Sequence, residues 1–151
     1  MRTIKFRGKD VFTDAWRYGD LVHNKKVTTT GLEPRTMVGG YEVDPETVGS
    51  NTGLFDKNGK EIYEGDVLRS DIFPFSFINE EKTCRDLRFG TIVWDEVGGK
   101  YFMLCHTNKK LSVDKYFEGV HLDINQLWCS NFEVIGNVHD PEWQKLNIKK
   151  E

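Results

Sequence analysis

A chain of 151 residues can bury a hydrophobic core as one domain, or as two small β units, without help from a metal or a disulfide. Its 21 Lys and Arg against 24 Asp and Glu give a net charge of −3, which lacks the basic excess of a phosphate-binding protein and the strong acidity of a DNA mimic. Hydrophobic residues make up only 38%, but ten Phe, five Tyr, four Trp and 14 Gly favour strands and turns over helices.

The first elements read as short strands. Ile4 to Phe6 alternates apolar and basic side chains, and Arg7 to Asp10 has the composition of a turn. Trp16-Arg17-Tyr18 alternates again, Gly19-Asp20 leads into Leu21-Val22, and Val27 to Thr30 is a third, β-branched run. From Gly31 to Pro45 the signals are mixed: Glu33-Pro34 breaks structure, Met37-Val38 suits a strand, and Gly39-Gly40 permits a bend. Asp56-Lys57-Asn58-Gly59 then has the chemistry of a tight turn, because Asn and Gly tolerate positive φ. Glu61-Ile62-Tyr63 is the return strand, Glu64-Gly65-Asp66 a second turn, and Val67-Leu68-Arg69 the next strand.

Residues 71–88 form an excursion in which Ile72, Phe73, Phe75 and Phe77 lead an apolar run followed by a charged stretch. At period two the three Phe share one face. Such a run either folds back onto its own core or covers a partner or second subunit by adding to a strand edge. Gly90 to Trp94 and Tyr101 to Cys105 flank Gly98-Gly99 and make the clearest hairpin in the sequence. Asp114 to Trp128 fits either a short helix or a packed loop. Phe132 to Val138 is a last strand with a bulge expected at Gly136, and Asp140-Pro141-Glu142 opens a short C-terminal helix through about Leu146.

The fold expected is therefore mainly β. An N-terminal β-meander over 1–53 packs on a C-terminal SH3-like small barrel over 54–151, which carries the insertion at 71–88 and the short helix. Cys84, Cys105 and Cys129 are odd in number and lack Cys-x-x-Cys spacing, as in a reduced cytoplasmic protein. The N-terminus has no signal-peptide core, and no window approaches a membrane span, so no membrane association is expected.

Thr52 to Val67, TGLFDKNGKEIYEGDV, closely resembles the signature stretch of the YopX family of phage and prophage proteins. The start MRTIKFRGK, Trp16 to Val22, and Phe132 to Glu142 resemble the same family's terminal patterns in the same order. The resemblance implies a mostly β fold with a barrel-like C-terminal part, in a protein of phage or prophage origin working in the cytoplasm of a host bacterium. It implies no activity. The chain departs from the family pattern at Ile72–Arg88 and Lys109–Asn131.

No residue pattern makes a catalytic, cofactor or metal site. Asp56, Glu61, Glu64 and Asp66 could share a proton or hold a hard cation, but Lys57, Lys60 and Ile62 interrupt the alternate spacing a calcium loop needs, and turn-capping accounts for the acids. Cys84, Cys105, His106, His121, Cys129 and His139 lack the paired spacing of a zinc site. Gly98-Gly99-Lys100 lacks the rest of a phosphate loop. Trp16, Tyr18, Trp94, Tyr101 and Phe102 could stack on bases, but they sit in apolar strand patterns without interleaved cations and read as core. The expected function is that of a non-catalytic accessory protein binding a protein partner or another copy of itself, with Ile72, Phe73, Phe75 and Phe77 as its interface. A nucleic-acid-binding module is the alternative, and an enzyme of unknown class the third reading.

Overall fold

Short alternating runs separated by glycine turns put most of the described residues into antiparallel strands. The computed structural model describes residues 3–69, 89–106 and 121–141, in two units, Met1–Asn51 and Thr52–Glu151.

In the first unit, β1 (Phe6–Lys9) pairs with β2 (Trp16–Gly19) from Phe6↔Gly19 to Lys9↔Trp16. Its other edge pairs with the start of β6 (Gly49–Phe55) through Phe6↔Ser50 and Arg7↔Gly49. β3 (Leu21–Thr28) and β4 (Gly31–Val38) form a ribbon in register from Leu21↔Val38 to Thr28↔Gly31, and β5 (Tyr41–Glu42) adds only to Met37 and Val38. A single 3-10 turn at Pro45–Thr47 follows, capped by the Asp44 carboxylate, which accepts from the Glu46 N–H. Among the described residues, Val38 and Val43 are the fully buried apolar side chains of this unit. Gly8 has no room for a side chain, since a Cβ there would lie 2.9 Å from Val43. Gly39, at φ +60, would drive a Cβ into the Tyr18 carbonyl oxygen.

Three sequence expectations fail here. Arg7 to Asp10 is strand β1 and its end, not a turn; the turn lies at Asp10–Ala15, closed by the Asp10 N–H on the Ala15 carbonyl at 2.9 Å. The third strand begins at Leu21 and ends at Thr28, whose hydroxyl donates to the Gly31 carbonyl at the ribbon's tip. Glu33-Pro34 does not break structure: Pro34 sits opposite Lys25 inside β4, where among the described residues no strand pairs with the far edge, so its missing N–H costs no ladder bond there.

In the second unit, Thr52 on β6 sends its hydroxyl to the Ile62 carbonyl at 2.8 Å, beside β7 (Glu61–Tyr63). β8 (Asp66–Arg69), β9 (Phe89–Asp95), β10 (Lys100–His106), β11 (His121–Asp123) and β12 (Glu133–Asn137) make one sheet in the order β11-β10-β9-β8-β12. The hairpin at Asp95↔Lys100 and the β12 irregularity between Val134 and Gly136 fall where the sequence puts them. Ile62, Leu68, Ile92, Met103, Cys129 and Phe132 form the core, each 3% exposed or less. Burying each such apolar side chain stabilises by roughly 1.5–3 kcal/mol. Of the ambiguous stretch from Asp114 to Trp128, residues 114–120 lie outside the described residues, and the rest holds β11 and most of the one-turn helix α1 (Gln126–Cys129). Gln126 clamps Phe55 with two 3.0 Å bonds, one to its N–H and one to its carbonyl. Among the described residues the strands form open sheets and no closed barrel. The helix expected after Asp140 falls mostly in 142–151, outside the described residues.

Candidate binding surfaces

The two aspartates of the turn-rich stretch, Asp56 and Asp66, serve the backbone. Asp56 is buried; its Oδ1 accepts from the N–H groups of Asn58 and Lys60 at 2.8 and 2.9 Å, and its Oδ2 from the Val134 N–H at 3.0 Å. Asp66, 1% exposed, accepts from the Tyr63 N–H at 2.8 Å and from Asn137 Nδ2 at 3.5 Å. Glu61 accepts from the Tyr63 hydroxyl at 3.3 Å. A carboxylate whose lone pairs are filled by backbone donors closes turns and has little left for chemistry. Of the cysteines, Cys129 is buried, and burial pushes its thiol up to about 11, away from a reactive thiolate. Among the described residues no three His, Cys, Asp or Glu side chains are grouped closely enough to hold a metal ion.

The β1–β2 connection is organised by Asp10. Its Oδ1 accepts from the N–H groups of Phe12 and Thr13 at 2.8 and 3.3 Å, and its Oδ2 from Arg17 Nε at 2.9 Å. The Phe12 N–H chiefly, then Arg17 and the Thr13 N–H, hold this carboxyl below its ordinary value against the opposing effect of burial. Asp14 adopts φ 60, and beyond it Lys9 Nζ lies 3.7 Å from the Asp14 carboxylate. An open groove of about 560 Å³ runs between this loop and the Asp44–Thr47 turn.

Cations from β1 cover Trp16 on the neighbouring strand. Arg7 Cζ is 4.6 Å and Lys9 Nζ 5.5 Å from the ring centroid, and Arg17 lies 3.8 Å over Tyr41. Trp16 and Tyr41 are therefore interleaved with Arg and Lys across strands, which a reading along one strand misses. Tyr18 is 53% exposed and Trp94 39%, so neither is a core residue; Trp94 packs edge-on against Tyr101 at 4.7 Å.

The β3–β4 ribbon faces solvent on both sides over most of its length. On one face Val27 and Leu32, directly opposite in register, are 84% and 65% exposed. On the other, Arg35 Nε donates to Asn24 Oδ1 at 2.8 Å, and Lys26 pairs with Glu42 at 2.6 Å. Ile72, Phe73, Phe75 and Phe77, the interface read from the sequence, lie outside the described residues. Phe12, 82% exposed on the Asp10 loop, was not legible as a surface feature; the only signal was an Asp two and three residues before N–H groups that its carboxylate can cap.

These elements define a small, mainly antiparallel β protein whose buried acids shape turns and whose exposed apolar side chains include Val11 and Phe12 on the Asp10 loop and Val27 and Leu32 on the ribbon. The family model described as YopX protein matches residues 5–142, and the chain belongs to that family. No curated protein matches it. Among solved structures, the crystal structure of protein EF1440 from Enterococcus faecalis is 22% identical, covering 92% of this chain and 95% of that one, with a TM-score of 0.46.

Proposed function

We propose that this protein is a non-catalytic accessory protein of phage or prophage origin, acting in the host cell's cytoplasm by binding a protein partner or another copy of itself. The observation that carries this reading is the β3–β4 ribbon. Its ladder is complete from Leu21↔Val38 to Thr28↔Gly31, yet it leaves the Val27 and Leu32 pair in water. A ribbon that buries little of its own surface offers that surface to something else. The Phe-rich insertion at 71–88, with Ile72, Phe73, Phe75 and Phe77, is the second contact in this proposal. An SH3-like second unit is supported by the β8-β9-β10-β11 meander, with β12 returning to pair β8.

The test is sedimentation equilibrium of the full chain together with affinity capture from infected or induced cells, comparing wild type with Phe73→Ser/Phe75→Ser. Loss of self-association or of specific partners in the variant is expected. Unchanged mass and identical partners sink the proposed insertion surface.

One observation favours nucleic acid as a second reading: the ribbon carries Lys25, Lys26 and Arg35 against the single acid Glu33, in a chain of net charge −3. That reading predicts duplex binding that weakens steeply with salt and is lost in Lys25→Ala/Arg35→Ala. The ion pair of Lys26 with Glu42 already spends part of the charge, which ranks this reading below protein binding.

A further inference from the structure

The Asp10 loop accounts for all its own backbone donors. The N–H of Val11 goes to the Glu42 carbonyl at 3.1 Å, those of Phe12 and Thr13 to the Asp10 carboxylate, that of Asp14 to the Asp10 carbonyl at 2.9 Å, and that of Ala15 to Thr13 Oγ1 at 3.4 Å. A loop with every N–H engaged has no free donors with which to cradle a phosphate or other anion. It is also held in one shape, because Arg17 fixes the Asp10 carboxylate from β2 and the Asp10 N–H is tied to Ala15. What the loop offers is side chains: Phe12 at 82% exposed, Val11 at 47%, and the Asp14 carboxylate, 79% exposed.

The groove beside it repeats this chemistry. Its outer walls are Val11, Phe12, Asp14, Asp44 and Pro45, while Lys9 lies at the floor, with its side chain 10% exposed. Asp44, Pro45 and Glu46 are exposed on the far side. The charges that meet solvent around the exposed aromatic are carboxylates: Asp44 and Glu46, and Asp14, which shares part of its charge with Lys9 Nζ at 3.7 Å. An aromatic carried next to a groove on a backbone held in one shape is the form of a binding anchor, because little backbone freedom is lost when it is covered.

We infer that the Asp10 loop and its groove dock an extended, basic and apolar peptide segment of a partner protein. In this arrangement an apolar side chain of the segment packs on Phe12 and Val11, and a neighbouring Lys or Arg points to Asp14 and Asp44. The inference rests on the binding reading above and gives that reading a third surface and a partner chemistry.

The probe is a random-peptide display library selected against the full chain, followed by calorimetry with the synthetic consensus peptide. Enriched peptides are expected to carry an apolar residue within a few positions of two or more Lys or Arg. Binding should fall about tenfold or more in Phe12→Ala, severalfold in Asp14→Asn, and further as salt is raised. Val97→Ser, which alters a fully exposed side chain of the second unit, should leave it unchanged. Thermal melts of each variant confirm folding before binding is compared.

Failure to enrich any peptide, enrichment of neutral or acidic peptides, or equal binding to Phe12→Ala overturns the inference. So does a dimer that Phe12→Ala converts to monomer, which makes the loop a contact between copies, and so does duplex DNA binding that needs Phe12. If Phe73→Ser/Phe75→Ser abolishes association while Phe12→Ala has no effect, the binding reading stands and this inference falls. The opposite pattern retains the loop and removes the insertion surface.

Discussion

The two units reach order by different physical routes. In Thr52–Glu151 an apolar cluster of Ile62, Leu68, Ile92, Met103, Cys129 and Phe132 excludes water, and carboxylates such as Asp56 are fitted around it. In Met1–Asn51 the fully buried apolar side chains among the described residues are Val38 and Val43, while Arg7, Lys9, Asp10 and Thr47 are also buried and are organised by hydrogen bonds and stacking on Trp16. Hydrophobic burial is tolerant of exact geometry, whereas a buried polar network holds only when its partners are all in place. The first unit should therefore be sensitive to single polar and backbone changes, and the second to lost volume.

The largest effect expected is in the second unit. Ile92→Ala empties part of its core and should cost about 3 kcal/mol in urea unfolding; a loss below about 1 kcal/mol would break the contrast. Next comes Gly39→Ala in the first unit, which adds left-handed strain to a collision with the Tyr18 carbonyl and should cost about 2 kcal/mol. Gly40→Ala, at φ +86 with open space around it, isolates the strain alone and should cost about 1 kcal/mol.

A smaller effect concerns acid. The Asp10 carboxyl is held below its ordinary value of 3.8, so its contribution is present above that pH and is lost as pH falls through the folded value. Melting temperature followed downward from pH 5 should show this loss, and Asp10→Asn should remove it while hastening amide exchange at Phe12 and Thr13. For Cys129, raised from 9.0 to about 11, the sign is reversed: its contribution is complete below 9.0 and disappears as pH rises through about 11. Peptide mapping after thiol labelling at pH 8 should find Cys129 unmodified in folded protein. The smallest effect is Phe12→Ser, which should change stability by less than about 0.5 kcal/mol because the ring packs on little.

Local chemistry made some of this legible in the sequence. Asp56 to Gly59 and the hairpin across Gly98-Gly99 announce themselves because a tight turn needs particular residues within a few positions. β1 was misread because Arg7 and Lys9 look like surface residues until Trp16, brought beside them by the β1–β2 register, covers their charged ends. The ribbon was obscured by Glu33-Pro34 and by its lack of a buried face, since alternation is the signal of a half-buried strand. For the candidate site the deficit is greater. That Phe12 is exposed while Phe132 is core follows from which strands flank each of them, and composition carries no trace of it.

The ribbon's open edge has one more consequence, for the behaviour of the protein in bulk. Among the described residues no strand pairs with the outer edge of β3, and β5 pairs with β4 only at Met37 and Val38, so both edges could template growth of a sheet from chain to chain. Adjacent lysines Lys25 and Lys26 on one strand and Pro34 on the other interrupt that template with charge repulsion and a missing donor. The residues that look like defects in a strand thus have the chemistry and placement of gatekeepers against chain-to-chain sheet growth.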